Sequence, residues 1–261
     1  MKKILLFTLI ITSFGCAQNS DKKMKKEKNN QVYAKLIKPE TKTEWVSLFD
    51  GKTFNGWHQY NKSAISEAWV VEDGAMVFNP EKAIKFGKQA HDIVTDKEFT
   101  NFELSLEWKI SEKGNSGLFW GVKEDPKFHS PYLTGPEIQV LDNERHPDAF
   151  IRPKYHQAGA LYDIMQPMHD VCKPANEWNH FLLNINHKIN RGTLKLNGTE
   201  ILSFPLSGAE WEELISTCKF VDKSNKAYTE APMFGKFKTG KIGLQDHRDK
   251  VSYRNIKIRE L

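Results

Sequence analysis

The sequence has little cysteine: three residues in 261, none of them in a Cys-x-x-Cys pair. That excludes a disulfide-stapled scaffold and a paired-cysteine zinc site. A phosphate-cradling glycine loop ending in Gly-Lys-Ser/Thr is also missing, as is a Gly-x-Ser-x-Gly nucleophile elbow, so nucleotide hydrolysis and serine-hydrolase chemistry have no motif to rest on. Helical periodicity is scarce, and no segment beyond the first residues is apolar enough to span a bilayer. The net charge of +5 is misleading, because residues 1–44 hold ten lysines against four acids. The rest of the chain is therefore close to neutral, at about −1, and lacks the basic surface that nucleic acid requires.

The N-terminal region has an export pattern. Lys2 and Lys3 precede an apolar stretch, Ile4 to Phe14, which is too short for a stable span. It ends in Ser13-Phe14-Gly15-Cys16, which resembles the lipobox of bacterial prolipoproteins, with Phe14 in place of the usual small residue. Residues 1–16 are thus expected to be a lipoprotein signal and Cys16 the lipidated residue. Residues 17–43 form a lysine-rich tether, and the chain is exported and held at a bacterial membrane, periplasmic or at the cell surface. Cys172 and Cys218 remain, either as a pair or as two buried free thiols.

Residues 44–261 are a single domain in size. Phe102, Leu104, Leu106, Trp108 and Ile110 alternate with Glu103, Ser105, Glu107 and Lys109, which predicts a strand with one wet face. Shorter runs predict strands at 45–49, 68–71, 75–78, 117–121, 137–141, 158–162, 181–187, 241–245 and 251–258. Residues 193–196 and 199–202 flank Asn197-Gly198, a pair that tolerates the positive φ of a two-residue hairpin turn. One helix is predicted behind Ser207 as its cap, with Trp211, Leu214, Ile215 and Cys218 at helical spacing. Many short strands with one helical insertion predict an all-β jelly-roll sandwich.

The stretch Gly135-Pro136-Glu137-Ile138-Gln139-Val140-Leu141-Asp142 places two carboxylates and an amide in an apolar strand. Glu137 and Gln139 share a face, and a one-residue bulge would bring Asp142 round to join them. The spacing resembles the Glu-x-Asp-x-x-Glu strand of laminarinase-type glucanases, but an amide replaces the middle acid and the last acid is shorter. Ordinary retaining hydrolysis is therefore disfavoured. The alternative is that the trio only satisfies strand ends.

Trp45-Val46-Ser47-Leu48-Phe49-Asp50-Gly51, Gly114-Asn115-Ser116-Gly117-Leu118-Phe119-Trp120, Gly159-Ala160-Leu161-Tyr162, Glu177-Trp178-Asn179, Gly243-Leu244-Gln245-Asp246-His247 and Tyr253-Arg254-Asn255-Ile256 follow one another in order. From residue 44 onward the chain resembles the 3-keto-disaccharide hydrolase domain family, whose fold is related to concanavalin A-like lectins and glucanases. The resemblance implies a sugar oxidised to a ketone at C3. That ketone acidifies the C2 hydrogen, so that elimination from C1 and rehydration complete a hydrolysis. On that reading Glu137 and Asp142 share the acid and base roles, with His247 as a further catalytic candidate. Gln139 binds sugar hydroxyls, and His156 or His247 steadies developing charge.

The supporting candidates each have a plainer reading. Asp163 is expected as a substrate contact on a cleft wall, though it and His247 also suit turn caps, and His156 suits an exposed loop. Trp120 is expected to stack on a sugar, and Gln245 joins it as a substrate contact. Arg248, standing where the family suggests glycine, is placed at the cleft rim. No cofactor is implied. Asp142, Asn143, Glu144, His146 and Asp148 are dense in oxygen ligands that suit calcium, but without the Asp-x-Asp-x-Asp-Gly spacing. The expected partners are a carbohydrate and, through the lipid, a membrane. A tethered carbohydrate-binding module without turnover is the competing reading.

Overall fold

Alternation becomes a sheet because one face can be buried. In β6 (Phe102–Ile110) every apolar position is buried and every intervening polar position is half exposed. The computed structural model describes residues 43–261. The expected signal stretch, Cys16 and nearly all of the expected tether lie outside the described residues.

Two antiparallel sheets make up the domain, an all-β jelly-roll sandwich as expected. The larger runs in the order β11 (Thr199–Phe204), β10 (Arg191–Leu196), β9 (Asn179–Asn186), β6, β13 (Val251–Glu260), β4 (Ala75–Phe78) and β3 (Trp69–Glu72), with β1 (Val46–Ser47) also paired to β13. The smaller runs β2 (Trp57–Gln59), β5 (Ile93–Thr95), β12 (Lys241–Leu244), β7 (Asn115–Val122) and β8 (Glu137–Leu141). Leu104, Leu106 and Trp108 meet Phe181, Leu183 and Leu118 in one continuous apolar core.

The Asn197-Gly198 turn forms as expected, with φ of 50° and 87°. Among the described residues three short α-helices interrupt the strands: α1 (Pro80–Ala83), α2 (Asp148–Ile151) and α3 (Ala209–Ile215). Ser207 does not cap α3. Gly208 occupies the cap position at φ 79°, and the Ser207 hydroxyl instead donates to Asn190 Oδ1 at 2.8 Å. The predicted strand at 158–162 is not a regular one. It lies against the free edge of β8 through Gln139 N to Ala160 O (3.0 Å), Gly159 N to Gln139 O (2.8 Å) and Tyr162 N to Glu137 O (2.9 Å). The edge is thereby covered, and Tyr162 is brought beside Glu137.

Candidate active site

β8 pairs with β7 in unbroken register, with Phe119 opposite Glu137, Gly117 opposite Gln139 and Asn115 opposite Leu141. No bulge occurs within it. Side chains therefore alternate strictly, and Glu137 and Gln139 share one face with Gly117 and Asn115. Asp142, expected as the second acid, falls on the other side. Its carboxylate accepts from the amides of Lys113 (2.8 Å) and Glu144 (3.2 Å), and Arg145 approaches it at 3.4 Å. It clamps the loop that follows β8 and has no place in the cavity.

The cavity on the Glu137 face has a volume of about 220 Å³. β8 contributes Glu137 and Gln139, β7 contributes Asn115, and the turn after β12 contributes Gln245 and His247. Tyr162 comes from the segment along the edge of β8. The stretch between β11 and β12 crosses the opening with Lys219, Phe220 and Thr229. Among the described residues Lys219 is the one lysine or arginine on the wall.

Burial defines the chemistry. Glu137 is only 5 % exposed, and burial pushes its carboxyl up to about 8, with the Lys219 ammonium pulling the other way. Gln139 is 1 % exposed, and neither its amide oxygen nor its nitrogen has a protein partner. Asn115 Oδ1 and Gln245 Oε1 are likewise buried without one. Three unpartnered amides around one protonatable carboxyl are costly unless a polar ligand satisfies them, at about 1–3 kcal/mol each. The space for Glu137 exists because residue 117 is glycine: a Cβ there would lie 1.9 Å from Glu137 Oε1.

Behind the wall runs a chain of hydrogen bonds that sequence reasoning did not assemble. Lys219 Nζ donates to the Tyr162 hydroxyl at 3.0 Å, and that hydroxyl donates to Asp148 Oδ2 at 3.2 Å. Asp148 Oδ1 meets His156 Nδ1 at 2.9 Å, and His156 Nε2 meets Asp163 Oδ1 at 3.1 Å. Asp163 also takes the Arg152 guanidinium at 2.7 Å and the Lys219 amide at 2.6 Å. His156 is thus buried, not exposed. Burial opposes its charge, but its bonds to Asp148 and Asp163 raise its pKa above the ordinary value. His156 and Asp163 sit behind the cavity and hold Tyr162 and Lys219 in place. His156 does so partly by stacking on the Tyr162 ring, with centroids 4.4 Å apart.

Two further expectations are corrected. Trp120 is 4 % exposed and packs against Phe204 with centroids 5.8 Å apart, so it has no face for a sugar. Arg248 adopts φ 70°, which is why glycine suits that position. Its guanidinium donates to the carbonyls of Gly87 and Gln89 (2.7 and 2.8 Å), tying down a loop away from the cavity. Cys172 and Cys218 are free thiols.

The acidic loop after β8 is not gathered around a cation: Asn143 Oδ1 accepts the Ala158 amide and Asp148 is engaged with His156. One trio among the described residues, His146, His247 and Asp249, brings its donor atoms within 4.8 Å of one another at the cavity rim. Yet His146 Nδ1 accepts the Asp148 amide at 3.1 Å, which in the neutral ring leaves the proton on Nε2. That ring therefore presents a donor on its far side, whereas a metal-bound imidazole normally donates through its second nitrogen.

A two-sheet β-sandwich whose small polar cavity holds one buried acid among unpartnered amides is a protein built to bind a small polyhydroxylated ligand. A family model described as a 3-keto-alpha-glucoside-1,2-lyase-like domain matches residues 44–259, and the chain belongs to that family. It is 34% identical over 235 residues to a protein of Bacteroides thetaiotaomicron named 3-keto-disaccharide hydrolase, covering 83% of this chain and 78% of the relative. Among solved structures, a candidate glycosyl hydrolase of Parabacteroides distasonis is similar at TM-score 0.71 and 31% identity, over 83% of this chain and 94% of the other. A second from the same organism is similar at TM-score 0.59 and 25% identity, over 84% and 100%.

Proposed function

We propose that this protein hydrolyses the glycosidic bond of sugars carrying a ketone at C3, by proton removal at C2, elimination from C1 and addition of water. The observation that carries the proposal is Glu137, a buried carboxyl whose pKa of about 8 suits a base working near neutrality. It stands among amides with unfilled hydrogen-bonding capacity.

Conventional glycoside hydrolysis needs two carboxylates facing one bond. Among the described residues Glu137 is the one carboxylate on this cavity wall, since Asp142 lies elsewhere. A single base is sufficient once a neighbouring ketone has acidified the C–H bond. Gln139, Asn115 and Gln245 hold the sugar hydroxyls, while His247 at the rim steadies the enolate oxygen. The volume, below the roughly 300–1,000 Å³ of drug-sized sites, suits one sugar ring rather than a chain.

The test is turnover of 3-keto-trehalose or 3-keto-maltose alongside the unoxidised disaccharides. Cleavage of only the keto forms, falling about 10²–10⁴-fold in Glu137→Gln, is expected. Saturable binding without turnover would replace the enzyme with a binding module, and equal cleavage of unoxidised sugars would remove the role of the ketone.

A further inference from the structure

The elimination leaves an alkoxide at the departing oxygen, and a poor leaving group such as a sugar hydroxyl needs a proton as it goes. His247 is exposed at the rim, and Glu137 is already engaged with C2. Tyr162 lies beside Glu137 through the 2.9 Å bond of its amide to the Glu137 carbonyl, and its side chain lines the cavity. That hydroxyl is flanked by a donor on one side, Lys219 Nζ at 3.0 Å, and an acceptor on the other, Asp148 Oδ2 at 3.2 Å. The ring is fixed by stacking on His156, and the Lys219 ammonium sits 4.4 Å from the ring centroid. A phenol held in this way can give up its proton to a third oxygen entering the cavity while a cation stands ready to hold the resulting anion.

We infer that Tyr162 is the acid that protonates the departing glycosidic oxygen, that Lys219 holds the transient tyrosinate, and that the same pair is reset during hydration. The inference rests on the elimination–hydration reading above. In the first half Glu137 takes the C2 proton, the C–H electrons form the enolate, and the enolate collapses to form the C1–C2 double bond. The C1–O bond breaks, its electrons stay on the leaving oxygen, and that oxygen takes the Tyr162 proton. In the second half the oxygen of water bonds to C1 and its proton returns to Tyr162. The Glu137 carboxylic acid gives back to C2 the proton it removed. The sum is glycoside plus water to two alcohols, with both residues restored and no oxidant, reductant or outside acid consumed. Burial and the neighbouring Asp148 and Glu137 raise the Tyr162 pKa, so the phenol is protonated at working pH.

The test compares Tyr162→Phe with wild type on two 3-keto-glucosides, one with a sugar leaving group and one with 4-nitrophenolate. Nitrophenolate departs without help, so the variant is expected to lose about 10²–10⁴-fold on the disaccharide and less than about tenfold on the nitrophenyl glycoside. Exchange of the C2 hydrogen for deuterium in D₂O, followed by NMR, is expected to persist because Glu137 is untouched. Lys219→Met is expected to show the same leaving-group bias. Equal losses on both substrates with exchange abolished would overturn the inference and leave Tyr162 a positioning residue. Wild-type protein that neither turns over nor exchanges any 3-keto-sugar would instead sink the underlying function. Thermal melts on both variants separate a folding defect from either result.

Discussion

Gly117→Ala tests the site at one atom. A methyl group at residue 117 would stand 1.9 Å from Glu137 Oε1, 2.6 Å from Cδ and 2.8 Å from Cγ, where ordinary contact begins near 3.4 Å. The carboxyl must retreat by about 1.5 Å, and a displacement near 1 Å at a reacting group costs roughly 10²-fold in rate. Gly117 does not have a positive φ, so alanine brings no backbone strain. In a strand it should even recover about 0.4–1 kcal/mol of unfolded-state entropy. Overpacking against Glu137 opposes this with about 1–3 kcal/mol. A double-mutant cycle isolates the contact: Gly117→Ala is expected to lower kcat/KM about 100-fold and to destabilise the wild type. In a Glu137→Ala background it should be neutral or mildly stabilising, a coupling of about 1–3 kcal/mol in urea melts. Equal destabilisation in both backgrounds, or activity within about twofold of wild type, would refute the claim that this glycine exists to seat the base.

The remaining expectations concern the same face and its surroundings. If Glu137 is the base, kcat/KM should climb with pH through a midpoint near 8 and level off about one unit above it; a plateau already reached by pH 6 would assign the base elsewhere. Because the folded pKa of Glu137 is raised, its favourable contribution is complete below the unfolded value near 4.5 and is lost as pH rises through about 8. Glu137→Gln should therefore gain in melting temperature relative to wild type more at pH 9 than at pH 4, and no pH dependence in that difference would contradict the burial. Asp142→Ala should cost about 1–3 kcal/mol, because two backbone amides lose their acceptor, while kcat/KM stays within a few-fold; a large loss of activity in a folded variant would restore Asp142 to the site. Trp120→Ala should behave as a core deletion of about 3–5 kcal/mol, with sugar affinity of the folded fraction unchanged by titration calorimetry.

Much of the fold could be read in advance where one physical constraint acts alone. β6 spans 102–110 as the alternation predicted, because one of its faces is wet and the other dry. β2 and β5 escaped notice for the opposite reason. Each is three residues long, and β5 is buried at every position, so period two leaves no trace in it. Glu137 and Gln139 stood out because polar groups in an apolar strand demand an explanation. Asp142 looked equivalent on spacing, but a strand conveys its register and not the partners of its side chains. Unbroken pairing with β7 turned Asp142 away, and two nearby amides claimed its oxygens. Lys219 had no local signal. It enters from the long stretch between β11 and β12, which is laid across the opening by the bond of the Lys219 amide to Asp163 and the packing of Phe220 against Tyr132 and Tyr162.

The distribution of strain and satisfaction separates the two sides of the wall. Behind it every polar group of the Asp148, His156, Asp163 and Arg152 chain has a partner, so that layer is stable without a ligand. In front, the buried amide atoms of Gln139, Asn115 and Gln245 have none, and Glu137 is held in a place that disfavours its charge. A core evolved only for stability would fill such positions with apolar side chains at little cost, as Ile138 and Val140 do on the other face of the same strand. The unsatisfied groups lie on the face that opens to the cavity, so the stability they forgo is recovered only when a polyhydroxylated ligand occupies it. A hydroxyl-rich ring would supply the donors and acceptors those amides lack and would close Glu137 off from solvent. If Glu137 is the base, its activation and ligand binding are one event, and a ligand too small to contact Gln139 should bind without making Glu137 a better base.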